Sequence, residues 1–138
     1  ELGRARRKGQ ALALAHLDLD EFKQINDRYG HGVGDLALQH LVRSLASGMR
    51  PGDVLCRFGG EEFVILLPET GLDEAVATLC RHLSDLAAAP VPGTTCTLTF
   101  SAGVVCVQPE ESVEAALQRA DAATYTAKRG GRNRIERG

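Results

Sequence analysis

The chain has 138 residues, enough for one domain with a single sizeable core. Its hydrophobic content of 43% and charged content of 25% are ordinary for a globular domain, and its net charge of −2 argues against a binder of nucleic acid polymers. No run approaches the roughly 20 apolar residues that span a bilayer, and no signal peptide opens the chain, so we expect a cytoplasmic domain without membrane contact in this segment.

The cysteines and the first residues predict the setting of the domain. The four cysteines, Cys56, Cys80, Cys96 and Cys106, include no C-x-x-C pair, and we expect packed free thiols in a reducing compartment. The chain starts at Glu1 without a Met, so we expect residues 1–138 to be a single domain, an N-terminally truncated fragment of a longer protein. That longer protein could carry a membrane anchor elsewhere.

A strand and two helices are predicted in the first third of the chain. Residues 11–17 form a short, almost unbroken apolar run, which indicates a strand buried on both faces. A short helix over 21–29, ended by Gly30, and a longer helix over 33–49 follow. The buried stripe of the longer helix is predicted to contain Leu38, Leu41, Val42, Leu45 and Met49.

A β-hairpin is predicted next, from apolar runs over 54–56 and 63–67 with Gly59 and Gly60 between them. Glycine at this turn permits positive φ and lets another molecule approach the bare backbone. Folding alone does not explain the two carboxylates, Glu61 and Glu62, that follow the glycines. The hairpin is therefore the best sequence pointer to function.

The rest of the chain predicts two more helices and further strands. A helix over 72–86 begins after a capping segment at Thr70, and residues 95–107 read as one long strand or two joined strands, with Gly103 as a candidate bulge. A helix over 113–128 and an edge strand over 133–135 end the pattern. The order β-α-α-β-β-α-β-α-β predicts an α/β (α+β) fold, a mixed central sheet flanked by helices.

Acidic residues at the end of the first strand predict a cation site. Asp18 and Asp20 point the same way, and Asp18 could share one ion with Glu61 or Glu62 if the hairpin lies beside that strand. Oxygen ligands from separate strand ends suit Mg²⁺ and metal-dependent phosphoryl transfer. Asp20 has a strong alternative as the cap of the next helix. A buried, unpaired Asp18 would be costly, which favours a cation partner for it.

Candidate phosphate and base contacts lie near these acids. The first turn of the helix at Phe22 and Lys23 offers unpaired backbone N–H groups to a phosphate. Lys128 and Arg132 are four residues apart, although spacing alone favours a cationic helix end that complements the helix dipole.

Asn26 and Asp35 could read a base edge, but each alone is more typical of a surface or cap. For His31 we favour a loop-bracing role over catalysis. No nucleophile accompanies it, and the sequence has no nucleophile elbow and no G-x-x-x-x-G-K-[ST] loop.

From about Ala11 to Arg134 the chain resembles the GGDEF family, the diguanylate cyclases, in several blocks that occur in order. The blocks are Leu17–Asp27, Tyr29-Gly30-His31 with Gly34-Asp35, Arg57–Phe63, Ser101–Val104, Ala120-Asp121, Tyr125–Lys128 and Gly131-Arg132-Asn133. The resemblance implies condensation of two GTP into cyclic di-GMP with release of pyrophosphate, on a fold like the palm of nucleotide cyclases and polymerases. A silent cyclic-di-GMP- or GTP-binding signalling domain is the alternative.

The resemblance also implies roles for individual residues. Asp18, the carbonyl of Leu19 and Glu61 would hold Mg²⁺ or Mn²⁺, and Glu62 would complete the acidic signature. Gly59 and Gly60 would let GTP lie against the hairpin, and Asn26 and Asp35 would recognise guanine. Lys23, Lys128, Arg132 and the backbone at Phe22 would hold the triphosphate, and Lys128 would also stabilise the developing charge.

Further implications concern regulation and assembly. Arg50 and Asp53 match the R-x-x-D inhibitory site for the product, and Arg81 would supply a second arginine. A homodimer would bring two GTP together, and a sensory or receiver domain would precede this one. The sequence departs from the family pattern at two apolar positions, where Ala102 replaces isoleucine and Thr124 replaces leucine. The D-x-L-T-G-L-x-N-R segment is absent.

Overall fold

The computed structural model describes residues 11–138, and the basic residues Arg4, Arg6, Arg7 and Lys8 lie outside them. Within that range the elements follow in the predicted order, β1-α1-α2-β2-β3-α3-β4-α4-β5. The strands are β1 (Leu12–Leu19), β2 (Val54–Arg57), β3 (Glu62–Pro68), β4 (Phe100–Cys106) and β5 (Arg134–Arg137), and the helices are α1 (Phe22–Tyr29), α2 (His31–Ser47), α3 (Leu72–Ala88) and α4 (Val113–Arg129). No helix among the described residues is long and apolar enough to cross a membrane.

The five strands form one mixed sheet in the order β2-β3-β1-β4-β5. Strand β1 lies at the centre, antiparallel to β3 on one side and to β4 on the other, and only the β4–β5 pair is parallel. The register places Asp18 opposite Glu62 of β3 and Ser101 of β4. The α/β fold with a mixed sheet is confirmed.

Strand β1 is buried on both faces because helices cover both sides of the sheet. Ala15 and Leu17 belong to the larger core, which α1, α2 and α3 close with residues such as Leu41 and Leu79. On the opposite face, Leu14 packs against alanines of α4. His16 and Asp18 share that second face, since side chains alternate along a strand.

Helix α4 lies unusually close to β4, and Gly103 is the reason. A Cβ at Gly103 would collide with the carbonyl oxygen of Ala120 and would lie 2.7 Å from the backbone nitrogen of Thr124. Gly103 pairs in regular register with His16, so the predicted bulge at this position is wrong. The glycine instead permits the approach of the helix.

Two further predictions about elements need correction. The strand predicted over 95–107 begins only at Phe100, although Cys96 and Leu98 are buried before it. Helix α3 has Gly71 as its N-cap without a side-chain hydrogen bond, and the Thr70 hydroxyl instead donates to the carbonyl of Pro68.

Three side chains predicted to be buried are exposed. Val42, placed in the stripe of α2, is 37% exposed. All four cysteines are free thiols, as predicted, but Cys56 on an edge strand and Cys80 on α3 are exposed rather than packed. Position within an apolar run therefore did not decide burial at the edge of the sheet.

Candidate functional site

The acids of two distant segments meet at the end of β1. Asp18 is the strand partner of Glu62, and the backbone N–H of Leu19 donates to the carbonyl of Glu61 at 3.1 Å. The hairpin therefore lies beside the first strand, which was the condition for a shared cation site. The geometry brings together Asp18, Leu19, Glu61 and Glu62.

The two oxygens of the Asp18 carboxylate have different surroundings. Oδ2 accepts a hydrogen bond from Lys128 Nζ of α4 at 2.6 Å. Oδ1 is buried and has no hydrogen-bond partner among the described residues. An orphaned carboxylate oxygen costs about 1–3 kcal/mol or more, and a cation would remove that cost. Together with the adjacent Glu61, this oxygen-rich donor set fits a hard divalent ion such as Mg²⁺.

Asp20 is used differently from Asp18. Its carboxylate accepts from the hydroxyls of Thr99 and Ser101, both at 2.6 Å, and from the backbone N–H of Asn133 at 2.9 Å. It is 6% exposed and makes no cap for α1. Asp20 therefore ties the end of β1 to β4 and to the turn before β5, which excludes the capping alternative.

Helix α1 begins directly after this acidic region. Its N-cap residue, Glu21, has φ 56° and makes no side-chain capping hydrogen bond, and its first turn contains no acidic residue. Backbone N–H groups of such a turn favour anions. Phe22 is half-buried and Lys23 exposed at this point, so both lie where a phosphate near the metal site could meet them.

The candidate base-reading residues lie on neighbouring helices. Gly34 of α2 faces Asn26 of α1 so closely that a Cβ there would collide with the Asn26 amide oxygen. The next residue, Asp35, lines a cavity of about 540 Å³ that reaches Phe63 of the hairpin. Asn26 therefore lies against Gly34 of α2, and the neighbouring Asp35 lies next to the hairpin.

The Gly-Gly turn is fixed by hydrogen bonds on both sides. The N–H groups of Phe58 and Gly59 donate to the carbonyl of Glu62 at 2.8 and 3.2 Å. The Arg57 guanidinium donates to the carbonyls of Gly59 and Gly60, the shortest contact being 2.6 Å. Sequence reasoning missed this bracing role of Arg57, although its place directly before the turn was visible.

The two glycines do not use positive φ. Within 11–138 the glycines with positive φ are Gly30, Gly52, Gly93 and Gly131, so the conformational part of that prediction is wrong. A Cβ on Gly60 would meet no atom within 4 Å. The space beside Gly60 is open, which agrees with the predicted approach of another molecule.

A buried polar cluster beside the hairpin was not predicted. His16 is 3% exposed, and its Nδ1 lies 2.8 Å from Thr124 Oγ1. Its Nε2 lies 2.9 Å from Glu62 Oε1 and 3.8 Å from Asp121 Oδ1. Two signals were available: a histidine inside an apolar strand and a threonine where the family pattern has leucine.

The structure also shows where the remaining predicted basic residues, Arg132 and Lys128, and His31 lie. Arg132 lies in the turn after α4 with φ 66°, its N–H bonded to the carbonyl of Ala127 and its side chain exposed. Lys128 lies inside the acidic region rather than only at a helix end. His31 is exposed at the start of α2 and makes no side-chain hydrogen bond in the described range, so the loop-bracing hypothesis lacks support.

The candidate product-binding arginines meet at another corner. Arg50 donates from its backbone to Asp53 Oδ2 at 2.8 Å and from its guanidinium to Thr70 Oγ1 at 2.7 Å. Arg81 of α3 donates to the carbonyl of Gly48 at 3.3 Å, two residues before Arg50. The guanidinium side chain of Arg50 remains half exposed.

The same corner contains a fully buried histidine. His82 is 0% exposed, and both ring nitrogens lack a partner in the part of the chain that the structure describes. Burial, with a smaller contribution from Arg81, lowers the pKa of His82 below its ordinary value, so the ring is held neutral.

Comparison with known proteins gives consistent results for sequence and structure. The model of the family "Diguanylate cyclase, GGDEF domain" matches residues 1–134. Diguanylate cyclase DgcP of Pseudomonas aeruginosa is 44% identical over 138 residues, which cover 99% of this chain and 21% of DgcP. The chain thus spans about a fifth of that relative.

Solved structures show the same fold. The GGDEF domain of DgcB from Caulobacter crescentus in complex with cyclic di-GMP is 32% identical, with a TM-score of 0.92 over 99% of this chain and 82% of that one. The active GGEEF domain of a diguanylate cyclase from Vibrio cholerae is 34% identical, with a TM-score of 0.91 over 99% of this chain and 88% of that one.

Proposed function

The chain belongs to the GGDEF family of diguanylate cyclase domains, and we propose that it condenses two GTP into cyclic di-GMP with Mg²⁺ or Mn²⁺. The observation that supports this most is the orphaned Oδ1 of Asp18 beside Glu61. An oxygen atom that lacks a donor at a strand end, next to a second acid from the adjacent hairpin turn, is an arrangement that suits cation-assisted phosphoryl transfer.

In this proposal each nearby group has one task. The carboxylates of Asp18 and Glu61 and the carbonyl of Leu19 would hold the ion, which supplies Lewis-acid stabilisation of phosphate charge when bound. The N–H groups at Phe22 and the side chains of Lys23 and Arg132 would orient the triphosphate. Most of the rate enhancement would come from positioning.

Lys128 has a role that depends on the ion. Its Nζ lies 2.6 Å from Oδ2 of Asp18, one of the residues that would hold the ion. With the ion bound there, the Lys128 ammonium would contact phosphate oxygens and offset the charge that develops as pyrophosphate leaves. Glu62, bonded to His16, would complete the acidic signature.

Base selection would come from Asn26 and Asp35. A carboxylate accepts two hydrogen bonds, which matches the N1–H and amino donors of guanine and rejects adenine. Gly34 leaves the room that the Asn26 amide needs. The cavity next to Asp35 and open space beside Gly60 would take the base and the phosphates respectively.

Assembly and regulation are part of the proposal. One domain would hold one GTP, so two domains would face each other and the active unit would be a homodimer. A sensory or receiver domain in a longer protein would control that association. SiaD of P. aeruginosa, a similar chain at 39% identity, was solved with its activator SiaC, which supports control by partners.

Cyclic di-GMP would also bind at Arg50, Asp53 and Arg81 as a feedback inhibitor. Arg50→Ala should weaken product inhibition about tenfold or more, because a guanidinium that forks against phosphate is lost. Turnover without added product should stay unchanged. Arg137→Ala, which removes an exposed arginine paired with Asp73, is the control. Unchanged product affinity in Arg50→Ala would remove the inhibitory site from the proposal.

A silent nucleotide-binding domain is the second candidate. Silent domains are expected to have a broken acidic signature, whereas Glu61 and Glu62 are both present here, so we favour the enzyme. The deciding experiment fuses the chain to a dimerising coiled coil, adds GTP with Mg²⁺ and detects cyclic di-GMP. Cyclic di-GMP should form in the fusion. GTP binding without product would favour the silent domain.

A further inference from the structure

His16, Glu62 and Asp121 bring one nitrogen and two carboxylate oxygens within 4.8 Å of one another. They come from three elements, β1, the start of β3 and α4. His16 is buried, Glu62 half-buried and Asp121 exposed, so the group is reached from solvent on one side only.

The hydrogen bonds of Thr124 select which nitrogen of His16 is the ligand. Thr124 Oγ1 lies 2.9 Å from the carbonyl oxygen of His16 and 3.1 Å from that of Ala120. Both carbonyls can only accept, so the single hydrogen of the Thr124 hydroxyl is donated to them. The arrangement that satisfies all of these groups has His16 Nδ1–H donating to Thr124 Oγ1 at 2.8 Å. Nε2 is then the nitrogen that faces Glu62 and Asp121, and without an ion a hydrogen lies between it and Glu62 Oε1.

Metal-binding histidines commonly have this arrangement, with the second ring nitrogen held by a hydrogen bond that fixes the tautomer and the ring orientation. The distances also suit a small ion. Nε2 lies 2.9 Å from Glu62 Oε1 and 3.8 Å from Asp121 Oδ1, and ligand atoms around tetrahedral zinc are roughly 3.4 Å apart. Small rotations of the half-buried Glu62 carboxylate and the exposed Asp121 carboxylate would bring all three ligand atoms to that spacing.

From this geometry we propose that His16, Glu62 and Asp121 form a binding site for a borderline transition-metal ion such as Zn²⁺, separate from the oxygen-rich Mg²⁺ site at Asp18. An imidazole nitrogen favours Zn²⁺ or Co²⁺, whereas Mg²⁺ prefers oxygen ligands throughout. Water completes the coordination on the exposed side. Binding displaces the hydrogen that otherwise lies between Nε2 and the Glu62 carboxylate.

The site shares the hairpin with the catalytic proposal but does not depend on it. An ion held by His16 and Asp121 draws the Glu62 carboxylate toward α4. The test therefore measures metal binding and not turnover, and its result stands whether or not the chain makes cyclic di-GMP.

Zn²⁺ titrated calorimetrically into the chain, with excess Mg²⁺ present to fill the oxygen site, tests the proposal. One Zn²⁺ should bind per chain, and Asp121→Asn and His16→Leu should each weaken that binding at least tenfold. Asp121 is exposed, so its variant keeps the fold, and Asp85→Asn, an exposed aspartate on α3, is the matched control with unchanged binding. Co²⁺ in place of Zn²⁺ should give visible bands that lack a thiolate charge-transfer contribution.

Two results would overturn the site. Zn²⁺ affinity that is equal in the wild type and in both variants would place the ion elsewhere. A thiolate band in the Co²⁺ spectrum would assign it to the exposed Cys56 or Cys80.

Discussion

A single methyl group decides whether the Asn26 amide can occupy its position. In Gly34→Ala the new Cβ would collide with the Asn26 side-chain oxygen, whereas a Cβ at Gly32, on the same helix, meets no atom within 4 Å. Because Asn26 must move, Gly34→Ala should raise the KM for GTP about tenfold, with a smaller effect on kcat. Steady-state kinetics of the dimerised chain measure this.

Gly32→Ala is the control for that prediction. It makes the same chemical change at an open helical position and should leave KM unchanged, with stability raised by up to about 1 kcal/mol through helix propensity. Equal KM values in both variants would separate Asn26 from guanine recognition.

His82 makes the stability of the domain depend on pH. Its folded pKa lies below the ordinary value of 6.5, because burial and Arg81 outweigh the opposing charges of Asp53 and Asp85. The unfolded chain therefore binds the proton more readily. Stability is fully present above about pH 6.5 and decreases as the pH falls through that value toward the folded pKa.

His82→Leu should weaken this dependence. Urea unfolding of the wild type should show a lower free energy at about pH 5.5 than at about pH 7.5, and the variant should show a smaller difference. The variant should be no less stable near neutrality, since an apolar group replaces two unpaired nitrogens. His31→Leu, at an exposed histidine, should keep the wild-type slope. Equal slopes in His82→Leu and the wild type would contradict the assignment.

At the scale of elements, the packing of α4 on β4 controls where Lys128 lies. Gly103→Ala inserts a methyl group against the carbonyl of Ala120 and the backbone of Thr124, and backbone does not yield as a flexible side chain does. The helix must lift from the sheet, at a cost of about 1–3 kcal/mol or more. Lifting it also separates Lys128 from Asp18, now 2.6 Å apart.

Thermal unfolding and turnover should therefore both respond in Gly103→Ala. The melting midpoint should fall by several degrees, and turnover at a temperature where the variant is folded should fall about tenfold or more. Gly32→Ala again supplies the control for a glycine-to-alanine change in open space. Full activity in folded Gly103→Ala would show that the position of α4 does not matter for catalysis.

The elements were predictable from the sequence because periodicity and turn residues act locally. Long stripes such as that of α3 and the apolar run of β1 gave the correct element types and their order. The exposure of Cys56 was not predictable, because it depends on which strand lies at the edge of the sheet. The role of Gly103 depends on a contact with a helix that follows later in the chain.

For the candidate site, the sequence predicted the acidic residues but not all of their contacts. The sequence predicted that Asp18 and the hairpin acids meet only if the hairpin lies beside the first strand, and the pairing of β1 with β3 meets that condition. The cluster around His16 joins residues at least 46 positions apart in the chain, which no local sequence pattern shows. The bracing by Arg57 depends on how the turn folds back on its own side chain, which the sequence does not show either.

At the scale of the whole molecule, the sheet separates two candidate sites. Asp18 pairs with Glu62 at one end of β1, whereas Leu12 pairs with Pro68 at the other, where Arg50 donates to the Pro68 carbonyl. The two pairs are six positions apart along β1, a distance of about 20 Å. If product binds at Arg50 as proposed, it would lie about that far from the acidic centre of the same domain, and inhibition would act through the arrangement of two domains.

The central claim is that Asp18 and Glu61 coordinate a divalent ion that binds the nucleotide. The measurement that tests it most directly is the Mg²⁺-dependent conversion of GTP to cyclic di-GMP by dimerised Glu61→Ala. Glu114→Ala, an exposed acid at the far end of α4 from Lys128, is the control. We predict at least a hundredfold loss in Glu61→Ala, with unchanged circular dichroism and an active control. Turnover by Glu61→Ala close to that of the wild type would contradict the account.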